Sequence, residues 1–284
     1  MIVSIGEIVW DIIADKKLLG GAPLNVAYHL SSFGLEVRLI GRIGTDDLSD
    51  LTLRHIADIG LSVDYIQRDK ELPTGRVVVT VGKNNEPSFD IVALAAWDAI
   101  EADPFLRNAP QPFHLVFGTL AQRSEPSRRA IRSLWDKADL LFYDVNLRPP
   151  FTPAEVVLDS LAAADVVKLN DDELQQVADW SGVADGPMAQ RAHNLCNRWQ
   201  LLCLAVTRGP AGALLVTKDG IFEHGGFPVQ VADTVGAGDA FFATLIEGII
   251  HKRSWQECLA RANKRGSYVA GRPGATPPMQ DFVF

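Results

Sequence analysis

Short β-branched runs alternate with helix-spaced apolar patterns through most of this chain, and that alternation limits its fold more than any other feature. Residues 2–9 are apolar almost throughout, as a strand buried on both faces requires. Residues 22–33 follow with helical spacing and close on Gly34, in the position after a helix that favours glycine. Residues 37–43 read as a second strand and 46–58 as a second helix, and strands at 114–118, 140–145, 166–169 and 201–206 continue the cycle. The pattern predicts an α/β fold with a mostly parallel central sheet and helices on both faces. Ligands of such sheets sit at the carboxyl ends of the strands. At 284 residues and 47% hydrophobic content one large core suffices, and no linker, repeat or low-complexity tract divides the chain, so a single domain over 1–284 is expected.

Residues 74–97 break the alternation. Two apolar runs, 76–81 and 89–95, flank Gly82-Lys83-Asn84-Asn85, which is a hairpin with polar turn chemistry and no room for a crossover helix. Together with a strand from 11–19 they predict a small β-sheet carried by the α/β body, either as an edge extension or as a lid over the site. The apolar face of such a flap needs cover, from the closed site or from the flap of a second copy, which leaves room for a homodimer through it.

Charge narrows the partners. Lys and Arg number 27 against 35 Asp and Glu, a net charge of −8, so nucleic acid and anionic membranes are not expected as partners. No apolar run approaches the roughly 18 residues of a membrane helix. The opening MIVSIGEIVW has neither the basic leader nor the cleavage site of a signal peptide. Cys196, Cys203 and Cys258 form no C-x-x-C pair and read as core thiols of a reducing cytoplasm.

The strongest chemical signal is Asp233-Thr234-Val235-Gly236-Ala237-Gly238-Asp239-Ala240-Phe241. Small residues allow a sharp turn into an apolar helix, whose first N–H groups and dipole favour an anion. Asp239 in that turn is either a general base serving a phosphoryl transfer or an ordinary N-cap aspartate; spacing alone leaves both open. The second signal is Gly20-Gly21-Ala22-Pro23-Leu24-Asn25, with Asp11 beyond the first strand. Asn25 and Asp11 suit the hydroxyl groups of a polyol, and equally a helix entry and a surface aspartate. Gly236-x-Gly238 lacks the third glycine of a dinucleotide fingerprint, and no Walker loop is present.

Both signatures resemble those of the PfkB (ribokinase-like) carbohydrate kinases. The likeness continues at residues 41–46, Pro73-Thr74-Gly75, Asp144-x-Asn146-x-Arg148, Lys168-x-Asn170-x-x-Glu173, Thr207-x-Gly209-x-x-Gly212 and Gly274-Ala275, nearly the whole chain in the family's order. The resemblance implies a ribokinase-like kinase with a β lid formed from about 11–19 and 74–97, which shields the γ-phosphoryl group from water. It implies Asp239 as the base that deprotonates a primary hydroxyl, and Gly236, Ala237 and Gly238 as the anion hole. It implies sugar binding by Asp11, Gly20, Gly21, Asn25 and Arg148. Nucleotide binding falls by the same resemblance to Lys168, Asn170, Glu173, Thr207, Gly209, Gly212, Asn263 and Gly274, with Glu173 organising Mg²⁺ through water. Read without the family, Asn170 and Glu173 are equally an N-cap asparagine and its capping-box glutamate.

The resemblance also implies a K⁺ loop of backbone carbonyls, here of Asp233, Val235, Arg272 and Gly274, although Pro278 stands where some relatives place a serine. Ser49 also departs from the family, replacing the glycine usual after its G-x-D segment. The implied partners are ATP, Mg²⁺ and a small sugar. Gly6-Glu7, the D-x-N-x-R segment and Val167 to Asn170 look most like fructokinases. Close behind are 2-keto-3-deoxygluconate kinases, for which Arg148 would meet a substrate carboxylate, and nucleoside kinases, which need an aromatic base pocket. A sensor that kept the fold and lost the chemistry would show a damaged base or anion hole; Asp239 and both glycines are intact.

Overall fold

Two sheets are built in chain order, as the computed structural model shows for residues 1–13, 16–81, 87–107 and 112–284. Strands β1 (Ile2–Ile5), β2 (Val9–Ile13) and β3 (Lys16–Gly20) precede helix α1 (Ala22–Ser31). Then come β4 (Val37–Ile43), α2 (Ser49–Asp58), β5 (Ile66–Arg68) and the hairpin arms β6 (Gly75–Val81) and β7 (Pro87–Ile91). The short α3 (Asp103–Leu106) leads into β8 (His114–Gly118), α4 (Glu125–Arg132), β9 (Leu141–Asp144), α5 (Ala154–Ala163), β10 (Val166–Asn170), α6 (Asp171–Trp180), α7 (Met188–Arg198) and β11 (Cys203–Thr207). The edge hairpin β12 (Ala213–Thr217) and β13 (Gly220–His224) is followed by α8 (Ala237–Ile250) and α9 (Trp255–Ala270).

The large sheet has nine strands in the order β13-β12-β11-β10-β9-β8-β1-β4-β5. From β11 to β5 all pairings are parallel, and β12 and β13 join antiparallel at one edge. Alternate strand residues feed two cores. Val3, Ile5, Phe117, Tyr143, Leu169 and Val206 pack against helices α4 to α7 through residues such as Ile131, Leu161, Val177 and Leu195. Ile2, Leu39, Val116, Phe142, Val166 and Ala205 face the other way and are covered by α1, α2, α8 and α9. Burial on both faces explains why these strands read as continuous apolar runs. β1 sits between β4 and β8, so the chain departs from it to either side, and the crevice at its carboxyl end is the switch point where such sheets bind ligands.

The run 2–9 is two strands rather than one. β1 pairs with β4 and β8 as far as Ile5, and from Val9 the chain takes new partners, β3 and β6, in the second sheet. That sheet has four strands in the order β3-β2-β6-β7. The segment 11–19 therefore supplies parts of two antiparallel strands, with residues 14 and 15 outside the described residues. The hairpin arms pair antiparallel as expected, and the proposed turn at 82–85 lies outside the described residues. Trp97 is not part of the small sheet: it is fully buried in the large core, beneath the Arg123 guanidinium 3.8 Å from its ring, while Arg123 grips Asp98 through two hydrogen bonds of 2.7 and 2.8 Å.

Helix 46–58 loses its first turn, and α2 starts at Ser49. The Asp46 carboxylate is committed elsewhere, accepting from the Thr74 hydroxyl at 2.6 Å and from Arg76 at 3.0 Å, and so tethers the entry of β6.

Candidate active site

α8 begins where the chain turns through Gly236 with a left-handed backbone, φ +78. A Cβ there would stand 2.4 Å from that of Ala275, so only glycine fits. Ala237, expected to complete the anion hole, spends its N–H on the Thr234 carbonyl at 3.2 Å, because the turn closes on that residue. The amides of Gly236, Gly238 and Asp239 meet no backbone acceptor among the described residues, so the free donors are these three.

Asp239 is the third residue of α8, and its Oδ2 accepts from Asn25 Nδ2 at 2.8 Å across 214 positions of sequence. Burial raises its carboxyl above the ordinary aspartate range, against the pull of Lys168, the Asn25 hydrogen bond and Arg148. Asn25 is delivered by the entry of α1. Gly21 has φ +113, and a Cβ on it would lie 2.3 Å from the Glu7 carbonyl, so the start of α1 is pressed against the end of β1. Pro23 in the first turn presets the helix. Asp11, on β2, is half-buried with Gly20 beside its Oδ2; burial raises its carboxyl and Arg148 opposes this.

Lys168 stands on β10, two residues before its end. From β10 its Nζ reaches Asp144 Oδ1 at 3.0 Å and Oδ2 at 3.2 Å, and it lies 3.1 Å from where a Cβ of Gly238 would stand. A buried ammonium thus backs the first turn of α8. Burial alone would lower its pKa, but Asp144, Glu173 and Asp239 outweigh that and hold it above the usual lysine value. Asp144 is buried too, and burial raises its carboxyl against the opposing charge of Lys168.

Asn170 and Glu173 form the capping box of α6: Asn170 Oδ1 accepts from Glu173 N, and Glu173 Oε2 from Asn170 N, both at 2.8 Å. Glu173 Oε1 also accepts from Leu147 N at 2.7 Å, which locks the loop after β9 to α6. Both carboxylate oxygens already hold a backbone N–H, so a cation here fits through water rather than by a bare carboxylate. The two residues line a pocket of about 300 Å³ with Leu147, Arg148, Asp172 and Gln176. Arg148 is exposed there, and among the described residues its guanidinium donates only to the neighbouring Leu147 carbonyl, at 2.8 Å.

Thr207 ends β11 in register with Asn170, and Gly209 and Gly212 form the turn beyond it, closed by Arg208 N to Gly212 O at 2.7 Å. Asn263 comes from the last helix. It is buried within α9, where its amide donates to the Leu259 carbonyl one turn back at 2.8 Å, the usual way for a buried helix amide to satisfy itself. Asp233 binds the two segments of the expected cation loop, accepting from Val235 N at 3.0 Å and Gly274 N at 3.1 Å. Arg272 turns its side chain away, 3.4 Å over the Tyr268 ring, so only its backbone remains for the loop.

Two carboxyl groups at this end of the sheet had no role assigned from sequence, Asp144 and Glu7. Glu7 follows β1 and is pushed up to about 7 by burial, with Arg148 opposing and Asp239 reinforcing the shift. The available signal was positional: an acid directly after an all-apolar strand stands at the carboxyl edge of the sheet.

Comparison with known proteins agrees over the full length. The description pfkB family carbohydrate kinase matches residues 2–281. A protein of Arabidopsis thaliana named probable fructokinase-5 is 27% identical, covering 98% of this chain and 94% of its own. A fructokinase structure from Xylella fastidiosa with bound ATP has a TM-score of 0.84 at 23% identity, covering 97% and 93% of the two chains. A fructokinase structure from Vibrio cholerae O395 holding fructose, ADP and a calcium ion has a TM-score of 0.81 at 24% identity, covering 97% and 94%. At such identities the structural likeness is one of fold.

Proposed function

This chain belongs to the pfkB family of carbohydrate kinases, phosphotransferases with an alcohol group as acceptor, and on that premise we propose that it carries the γ-phosphoryl group of ATP to the primary hydroxyl of fructose. The observation that carries this reading is the Asn25–Asp239 hydrogen bond beside the free amides that open α8. Asn25 holds one oxygen of the Asp239 carboxylate, leaving the other to take the hydroxyl proton as the oxygen attacks phosphorus. The amides of Gly236, Gly238 and Asp239 then receive the negative charge of the transferring group, with Lys168 as a fixed cation behind them. Asp11, Gly20, Gly21 and Asn25 orient the sugar; Thr207, Gly209, Gly212 and Gly274 flank the nucleotide. Asn170 and Glu173 would hold Mg²⁺ through water, which neutralises phosphate charge when bound. The carbonyls of Asp233, Val235, Arg272 and Gly274 suit a monovalent cation, and the Asp233 brace supports that fit.

A neutral sugar is favoured over a sugar acid by the charge around the hydroxyl. Among the described residues, Glu7, Asp11, Asp144 and Asp239 meet only the cations Lys168 and Arg148, and Lys168 is committed to Asp144. Of the two aromatic residues of 74–97 that could meet a nucleoside base, Phe89 and Trp97, Trp97 is buried in the core. The small sheet acts in this reading as the lid, and exposed Leu18 and Val78 on it support a homodimer through the same element. We take the cytoplasm as the compartment, a choice supported by three buried, unbridged thiols. No helix among the described residues is long and apolar enough to cross a membrane.

A coupled ADP-release assay over fructose, 2-keto-3-deoxygluconate and purine ribosides tests the reading. Fructose should give the highest kcat/KM, and an acid or riboside that exceeds it would overturn the assignment.

A further inference from the structure

Two acceptor atoms at the carboxyl end of β1 are left without a donor. Glu7 is 3% exposed, and its Oε2 has no hydrogen-bond partner among the described residues. Asn25 is 4% exposed; its Nδ2 is committed to Asp239, and its Oδ1 is likewise unpartnered. Buried polar atoms are rarely left in this state, and a carboxyl oxygen is among the costliest to leave so. Glu7 and the entry of α1, the helix that carries Asn25, are in contact. Gly21 presses on the Glu7 carbonyl, and Glu7 lines a cavity of about 10 Å³ with Ala22 and Pro23 of α1, closed from the far side by Thr119, Asp144 and Asn146. That cavity has room for about one water-sized group, and apart from Glu7 its wall is mostly apolar, with Val26, Val116, Phe117 and Leu120 in it. It lies between the carboxyl ends of β1 and β8, neighbours in the large sheet.

Taking the sugar-kinase reading as its base, in which Asn25 already orients the sugar, we propose that Glu7 is a further sugar contact: its Oε2 accepts a hydrogen bond from a hydroxyl group of the acceptor. An unmet buried acceptor recognises a donor, and a neutral polyol supplies one where a carboxylate does not. A hydroxyl on Oε2 also favours the ionised form of Glu7, working against the burial that holds it near 7.

Glu7→Gln keeps the side-chain volume and removes the charge. Its KM for fructose should rise about ten- to hundredfold, the range for a lost hydrogen bond to a charged group, while KM for ATP stays within about twofold. An unchanged KM for fructose overturns the proposal, because a water then serves the free oxygen. Equal rises in both KM values with a lowered melting temperature overturn it too, since the role is then structural. A second arm needs no variant: among singly deoxygenated fructoses tested on the wild-type enzyme, at least one beyond the reactive position should lose about tenfold in kcat/KM. If none does, the contact is absent. A wild-type protein that phosphorylates none of the sugars sinks the kinase reading itself, and this is seen before any variant is compared.

Discussion

Asp239 stands in the first turn of α8 with a carboxyl that burial lifts above its ordinary value of 3.8, and a base must be ionised to take a proton. Activity is therefore complete above the raised pKa and is lost as pH falls through it. The acid limb of kcat/KM should lie above the ordinary aspartate range, and Asp239→Asn should lower kcat by about 10²–10⁴-fold while fluorescent-nucleotide titration still shows ATP binding. A variant with near-normal kcat would remove Asp239 from the mechanism. Lys168 carries a different kind of constraint. Its ammonium is the partner of a buried Asp144 at 3.0 Å, so Lys168→Met leaves that carboxylate uncompensated. Urea denaturation should show a loss of about 3–5 kcal/mol, and adding Asp144→Leu should restore most of it without restoring turnover. A stable, active Lys168→Met would show that the pair holds neither the fold nor the phosphoryl site.

At the scale of elements, parallel strands buried on both faces were the most legible part of the sequence. Residues 37–43 and 114–118 are strands to the residue, and others shift by one or two positions. The break at Gly6 was hidden because β1 and β2 are equally apolar; what separates them is a change of partners from one sheet to the other, which composition does not encode. The α2 boundary failed for a related reason, since Asp46 serves Thr74 and Arg76, 28 and 30 positions away. Within the site, the glycine turns were visible as motifs. The Lys168–Asp144 pair and the place of Glu7 required knowing which strand ends are neighbours. The small sheet, read as a lid, gives the prediction at this scale. Amides of β6 and β7 should gain hydrogen-exchange protection when sugar binds, and equal protection with and without sugar would make the sheet a fixed edge.

Across the whole molecule, α1, α9 and the segment after Gly274 are joined at one buried histidine. His29 Nε2 bonds the Ala275 carbonyl at 3.0 Å, and its Nδ1 faces Arg265 at 3.2 Å. Burial first, then the Arg265 charge, lowers its pKa from 6.5 to about 3. Folding thus favours the neutral ring: the stabilisation is complete above about pH 6.5 and is lost as pH falls toward 3. Between pH 7 and 4 the wild-type protein should lose denaturant midpoint more steeply than His29→Gln, and parallel curves would refute the link. The long reach of the Asn25–Asp239 hydrogen bond has a consequence for synthesis. At about 5–20 residues per second, the ribosome makes Asp239 about 10–40 s after Asn25. Through that interval β1 lacks β8 for roughly the first half, and the face that α8 and α9 will cover stays bare throughout. A nascent chain of this protein thus carries apolar strands whose covering face is missing until the last two helices emerge.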